Sequence, residues 1–281
     1  MTRYAIAINV ERCNGCYNCF LSCKDEFAGN DHLPISAAQP DGGPVWIRLQ
    51  EVEHGTGSKV KLDYVPILCQ QCEDAPCIRP EFGDAVYRRA DGVVVIDPVK
   101  AKGNKEIAGS CPYGAIQWNE ALQLAQKCTM CAHMIDSGEK VPRCVEACPT
   151  QAMVFGDLDD PGSAVSQALK AKGGKYESYR PELGTRPRLQ YFGLPQPFIA
   201  GEVVLADKPG ECVTGARVTL SKGGKRVAAV ATDFLGDFEF KGLEAGAEYA
   251  LRVEHPGYLC REIPVRTAES VNVGELVLTA K

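Results

Sequence analysis

From Ile199 to the C-terminus, apolar and polar positions alternate with a period of two, the signature of half-buried strands. The runs IAGEVVL, ARVTLS, RVAAVAT, DFEF, YALRVE, REIPV and VNVGELVLT read as seven strands. Most are separated by turn-forming groups such as Lys-Gly-Gly-Lys and Leu-Gly-Asp. This pattern predicts a small antiparallel β-sandwich over residues 197–281. Residues 1–156 behave differently. Short apolar segments, YAIAINV and GVVVIDP among them, predict strands set between polar loops, and GTGSK at 55–59 predicts a hairpin turn. The connecting region 157–196 opens with a predicted helix. Asp160 is its N-cap, Pro161 lies in the first turn, Val165, Ala168 and Leu169 share a face, and Gly173 closes it. After it, RPELGTRPRLQYFGLPQP has four prolines and predicts an extended segment lying on a surface. The fold class is therefore α+β, in three regions.

Composition narrows the class. A chain of 281 residues with 45% hydrophobic content can bury a real core, and a formal charge of −5 offers no footprint for nucleic acid. No run approaches the ~20 apolar residues of a membrane helix, so direct membrane insertion is not expected. The start, MTRYAIAINVERC, reads as a strand rather than a signal peptide, and a cytoplasmic location is expected, with export on a signal-bearing partner as the other route.

Cysteine changes the picture. Of 14 cysteines, all but Cys212 and Cys260 fall between residues 13 and 148, in close spacings. Disulfide frameworks belong mainly to small secreted chains, whereas this spacing suits a metal. Four segments share one frame. The first holds Cys13, Cys16, Cys19 and Cys23, and the second Cys69, Cys72 and Cys77, with Glu81 in the fourth place. In the third, Ala101, Asn104 and Ile107 precede Cys111-Pro112, and the fourth holds Cys128, Cys131, Cys144 and Cys148-Pro149.

A [4Fe–4S] cluster takes four thiolates, and in paired segments the fourth cysteine of each run serves the other segment's cluster. Three ligands missing from the third segment and one from the second then amount to one whole absent cluster. The remaining twelve cysteines divide into three quartets. Cys13, Cys16, Cys19 and Cys148 form the first, Cys23, Cys128, Cys131 and Cys144 the second, and Cys69, Cys72, Cys77 and Cys111 the third. Zinc could be held by Cys128, Cys131, Cys144 and Cys148 alone, but it explains neither the first run nor the matched losses. His133 reads as a packing residue near the ligands, Trp46 and Trp118 as core or interface residues, and Cys212 and Cys260 as small buried hydrophobes. Nucleotide-binding glycine loops are lacking, and three fully ligated clusters leave no open iron position for a substrate. The chain reads as a conductor that is itself non-catalytic.

The motifs CNGCYNCFLSC, CQQCEDAPC, SCPYGAIQWNE and QKCTMCAHMIDSGEKVPRCVEACPTQA resemble the iron–sulfur subunits of the dimethyl sulfoxide reductase superfamily of molybdenum enzymes. IDPVKAKG, RPELGTRPR and the appended β-domain extend the resemblance to the transhydroxylase branch of that superfamily. GARVTL, TDFLGDFEF and HPGY resemble transthyretin-like or carboxypeptidase-regulatory-like modules. The resemblance implies a double bacterial-ferredoxin-like domain followed by the sandwich. It also implies a large catalytic subunit carrying a molybdenum bis-molybdopterin guanine dinucleotide centre, onto which residues 157–281 would pack, and polyhydroxylated aromatic substrates. An aromatic (catechol-type) dehydroxylase subunit, another reductase subunit of the superfamily fed by a small redox carrier, and a stand-alone polyferredoxin are the other readings.

Overall fold

The computed structural model describes residues 2–281, which divide into two compact units. The first comprises residues 2–51 and 63–194, and the second residues 52–62 and 195–281. Residues 157–194 thus group with the cysteine-bearing part, and a short piece of the N-terminal half groups with the β-module.

In the first unit, strand β1 (Tyr4–Asn9) is followed by helix α1 (Asn18–Phe27) and by the base of a long hairpin, β2 (Ile47–Thr56) and β3 (Lys59–Leu68); residues 52–62, with the turn where GTGSK places it, group with the second unit. Then come the small pair β4 (Val86–Arg88) and β5 (Val94–Ile96), helix α2 (Glu106–Gly109), and the pair β6 (Gln117–Asn119) and β7 (Leu124–Gln126). Short helices α3 (Ala132–Asp136) and α4 (Arg143–Glu146) lead into β8 (Met153–Asp157), helix α5 (Ala164–Ala171) and β9 (Leu189–Phe192). Strand β1 is the centre of a three-stranded sheet, antiparallel to β8 and parallel to β9. Its unbroken apolar run suits a strand covered on both faces.

Two expectations for the connecting region need correction. Helix α5 is capped by Ser163, three residues beyond Asp160; the Ser163 hydroxyl accepts from the Ser166 amide at 3.2 Å. Asp160 instead accepts from the Gly162 amide, closing a turn before the helix, so its short carboxylate is spent locally. The expected face does form, with Val165 buried and Ala168 and Leu169 packed against Ala5 and Ala7. The proline-rich segment does not merely lie on a surface. Past Pro187 its register points Leu189 and Tyr191 inward, both fully buried, and the backbone joins β1 as β9. The Tyr191 hydroxyl secures this strand by donating to the Pro66 carbonyl at 3.0 Å and accepting from the Gln70 amide at 3.1 Å.

The second unit contains all seven strands read from the alternation: β10 (Ile199–Leu205), β11 (Arg217–Lys222), β12 (Lys225–Ala231), β13 (Asp237–Phe240), β14 (Glu248–Glu254), β15 (Arg261–Arg266) and β16 (Val271–Leu278). They form two sheets, ordered β13-β10-β16 and β12-β11-β14-β15. Inward residues such as Val203, Val218, Leu251 and Leu276 make one core. All pairs are antiparallel except β10 with β16, which run parallel with an irregularity at Gly201. A Cβ there would stand 2.6 Å from Val273 Cγ2, so glycine is required by close approach. Cys212 and Cys260 are exposed, contrary to expectation, because each sits beside a turn rather than at an inward strand position.

Candidate iron–sulfur centres

Each cysteine loop has a backbone that ordinary residues avoid. Tyr17, Gln71, Met130, Cys131 and Gln151 have φ between 48° and 60°, and they account for most of the left-handed non-glycine residues among those described. Such conformations cost free energy and persist where the surroundings enforce them. Here they turn amide groups inward. The Met130 amide points at Cys128 Sγ at 3.4 Å, and the Ala152 amide at Cys148 Sγ at 3.3 Å. Backbone N–H groups of Gly15, Phe20, Ala115 and Arg143 likewise favour the thiolates of Cys13, Cys19, Cys111 and Cys131. Gly15 has φ of +71°, and a Cβ there would meet the Tyr64 ring at 2.6 Å, so the first loop can close only over glycine.

The thiols lie in three neighbourhoods drawn from distant parts of the chain. Burial, followed by the proximity of Cys13, Cys148 and Cys16, pushes the Cys19 thiol up to about 12. Burial raises Cys13 too, with Cys148 and Cys16 adding to it. Burial lifts Cys23 and Cys144 well above the thiol range, and both feel Cys128 and Cys131. Cys77 is pushed by burial to about 11, with Cys69, Cys111 and Cys72 beside it. Cys128 and Cys131 are pushed by burial to about 11 and about 12. At each of these buried cysteines, burial favours the neutral thiol. A metal centre must displace their protons, and its positive charge supplies the means.

Two observations fit a cluster. An enclosed cavity is lined by Cys23, Cys128, Cys131 and Cys144 together with Trp46 and Met130. Beside it lies a buried ammonium, Lys127, whose hydrogen-bond partners are backbone carbonyls alone. A buried cation of that kind calls for a nearby anion, and a thiolate-ligated cluster is one.

The fourth position is filled. Ala101 and Ile107 are fully buried and belong to one apolar core with Phe82, Ile116 and Leu124. Glu81 faces solvent. His133 approaches Glu26 Oε1 at 3.0 Å, and its ring stacks on His32 with centroids 3.7 Å apart. These three groups lie within metal-ligand reach of one another. However, the two rings are only 18° from parallel, so their in-plane lone pairs do not converge on one ion. Arg143 also stands 3.6 Å from the same carboxylate. Trp46 is buried against Phe27, while Trp118 is half-exposed under Lys105. The left-handed loop residues and Lys127 are what motif spacing missed; only the adjacency of Lys127 to Cys128 hinted at the latter.

The 4Fe-4S dicluster domain family matches residues 60–158, and the carboxypeptidase regulatory-like domain family matches residues 199–279. Thus the chain joins an iron–sulfur electron-transfer domain to a β-sandwich module, and it belongs to the iron–sulfur subunits of the dimethyl sulfoxide reductase superfamily of molybdenum enzymes. Along its whole length it is similar to the pyrogallol hydroxytransferase small subunit of Pelobacter acidigallici, with 38% identity over 99% of this chain and 100% of that one. A sulfite dehydrogenase subunit of Allochromatium vinosum is 36% identical over 68% of this chain and 83% of its own. One polypeptide of the anaerobic dimethyl sulfoxide reductase of Escherichia coli is 35% identical over 57% and 76%. No described helix is long and apolar enough to cross a membrane.

Proposed function

We propose that the chain holds three [4Fe–4S] clusters and conducts electrons to and from a large subunit with a molybdenum bis-molybdopterin guanine dinucleotide centre, in a transhydroxylase-like enzyme acting on polyhydroxylated aromatics. The observation that carries this reading is the gathering of the twelve thiols into the three neighbourhoods that the exchange rule requires. The nearness of Cys148 to Cys19, and of Cys23 to Cys128 and Cys131, supports that exchange. When bound, such clusters accept and release single electrons at potentials tuned by burial and N–H···S bonds. The protein contributes the ligands, the inward amides and the water-excluding core. The full-length match to a hydroxytransferase small subunit supports the substrate class and the large partner.

Purification of the tagged chain from its native host, followed by metal analysis, tests the assignment. A large partner should co-purify, with molybdenum and about twelve irons per small chain. A colourless preparation without acid-labile sulfide, or a chain that migrates alone, would overturn it. The Cys111→Ala variant should lower iron to about eight by removing one cluster while two survive. An undiminished count would remove Cys111 from the third quartet.

A further inference from the structure

One buried charge has no part in ligation. Lys127 is 2% exposed, and its ammonium donates to the carbonyls of Val94 and Cys128, the latter at 3.1 Å. Gln71, 1% exposed and lying between Cys69 and Cys72, completes a ring. Its amide nitrogen donates to the same Cys128 carbonyl at 3.1 Å, and its amide oxygen accepts from the Val94 amide at 2.8 Å. Two hydrogen bonds hold the ammonium and two more from Gln71 fix its acceptors, so it is locked between the loop of the third quartet and that of the second. The Cys69 thiol lies close enough to Cys128 to raise its pKa, so this is also where the two quartets meet.

We propose that Lys127 is a fixed positive charge that raises the reduction potentials of the second and third clusters while leaving the first unaffected, biasing electrons away from the first. This rests on the three-cluster reading above. Reduction of a thiolate-ligated cluster adds one negative charge, and a cation held nearby in a medium of low dielectric favours the reduced form. The ammonium donates to the carbonyl of Cys128 in the second quartet, and Gln71, set between Cys69 and Cys72 of the third, donates to that same carbonyl, so ligand loops of both quartets border the charge. Both acceptors of the ammonium, the Val94 and Cys128 carbonyls, lie outside the loops of the first quartet. Gln71 is a positioning residue: it keeps the Cys128 carbonyl and the Val94 strand where the ammonium needs them.

The experiment is a dithionite redox titration of the intact complex, followed by electron paramagnetic resonance, on wild type, Lys127→Met, Lys127→Gln and Lys127→Arg. In both neutral variants, two of the three one-electron waves should move to lower potential. At a fixed ambient potential the reduced-to-oxidised ratio of those clusters should fall about tenfold, equivalent to about 59 mV. The remaining wave, that of the first cluster, should stay, and Lys127→Arg should restore the wild-type pattern. Three unmoved waves, three waves shifted together, or an Arg variant displaced as far as the Met variant would overturn the inference. So would the loss of a cluster from both neutral variants but not from Lys127→Arg, since the charge would then hold clusters rather than tune them. A wild type without three separable waves and about twelve irons would overturn the three-cluster reading itself.

Discussion

Ile107 occupies a place where the repeating frame of the cysteine segments expects a ligand, yet it is fully buried among Phe82, Ala101, Ile116 and Leu124. A side chain so placed acts through packing. Ile107→Ala should destabilise the unit by ~2–5 kcal/mol, as cavity-forming truncations do, while iron stays at its wild-type value. Thermal inactivation together with iron analysis checks both halves, and loss of a cluster would show that this core belongs to a metal site. The spacing of Cys111 and its missing companions made this position legible in the sequence. Spacing could not show that Gln71, Met130 and Cys131 take left-handed conformations, because strain of that kind is imposed by the closed loop and leaves no mark in residue type. Lys127 was equally hidden, since a lysine beside a cysteine looks the same whether it is buried or solvated.

At the level of elements, alternation was a sufficient guide where each strand has one wet and one dry face. All seven strands of the β-module arose that way, and the i, i+3, i+4 spacing of Val165, Ala168 and Leu169 gave the packed face of α5. It failed where a strand is completed by a distant partner. Leu189–Phe192 is only four residues long and prolines flank it, so nothing local distinguishes it from a surface strap; pairing with β1 makes it a strand. The cap of α5 was misplaced for a related reason. Asp160 and Ser163 are both good N-cap residues, and the choice is settled by the Ser163 hydroxyl, which also donates to the Asp157 carbonyl at 2.6 Å. Ser163→Ala removes both bonds and should cost ~0.5–2 kcal/mol. Amide exchange in Ala164–Ala171 should accelerate while the iron content stays constant. Unchanged exchange would return the capping role to Asp160.

Across the whole cysteine-bearing unit, the thiols that reach from one quartet to another suggest an order for the proposed wire. Cys19 of the first quartet acts on Cys23 and Cys144 of the second, and Cys69 of the third acts on Cys128 of the second. Cys13 and Cys19 of the first quartet feel no thiol of the third, and Cys72, Cys77 and Cys111 of the third feel none of the first. The second quartet is wholly buried, whereas Cys16 is exposed and Cys13, Cys148 and Cys111 are half-buried, so the middle lies farthest from solvent. Removing the central cluster should therefore cut the conductor rather than shorten it. Cys131→Ala in the intact complex should lower iron from about twelve to about eight and leave the signals of the outer clusters in place. After rapid mixing with a reductant that exchanges electrons at the exposed first quartet, the third cluster should then fill far more slowly than in wild type. If it fills at the wild-type rate, electrons reach it by another route and the linear order is wrong.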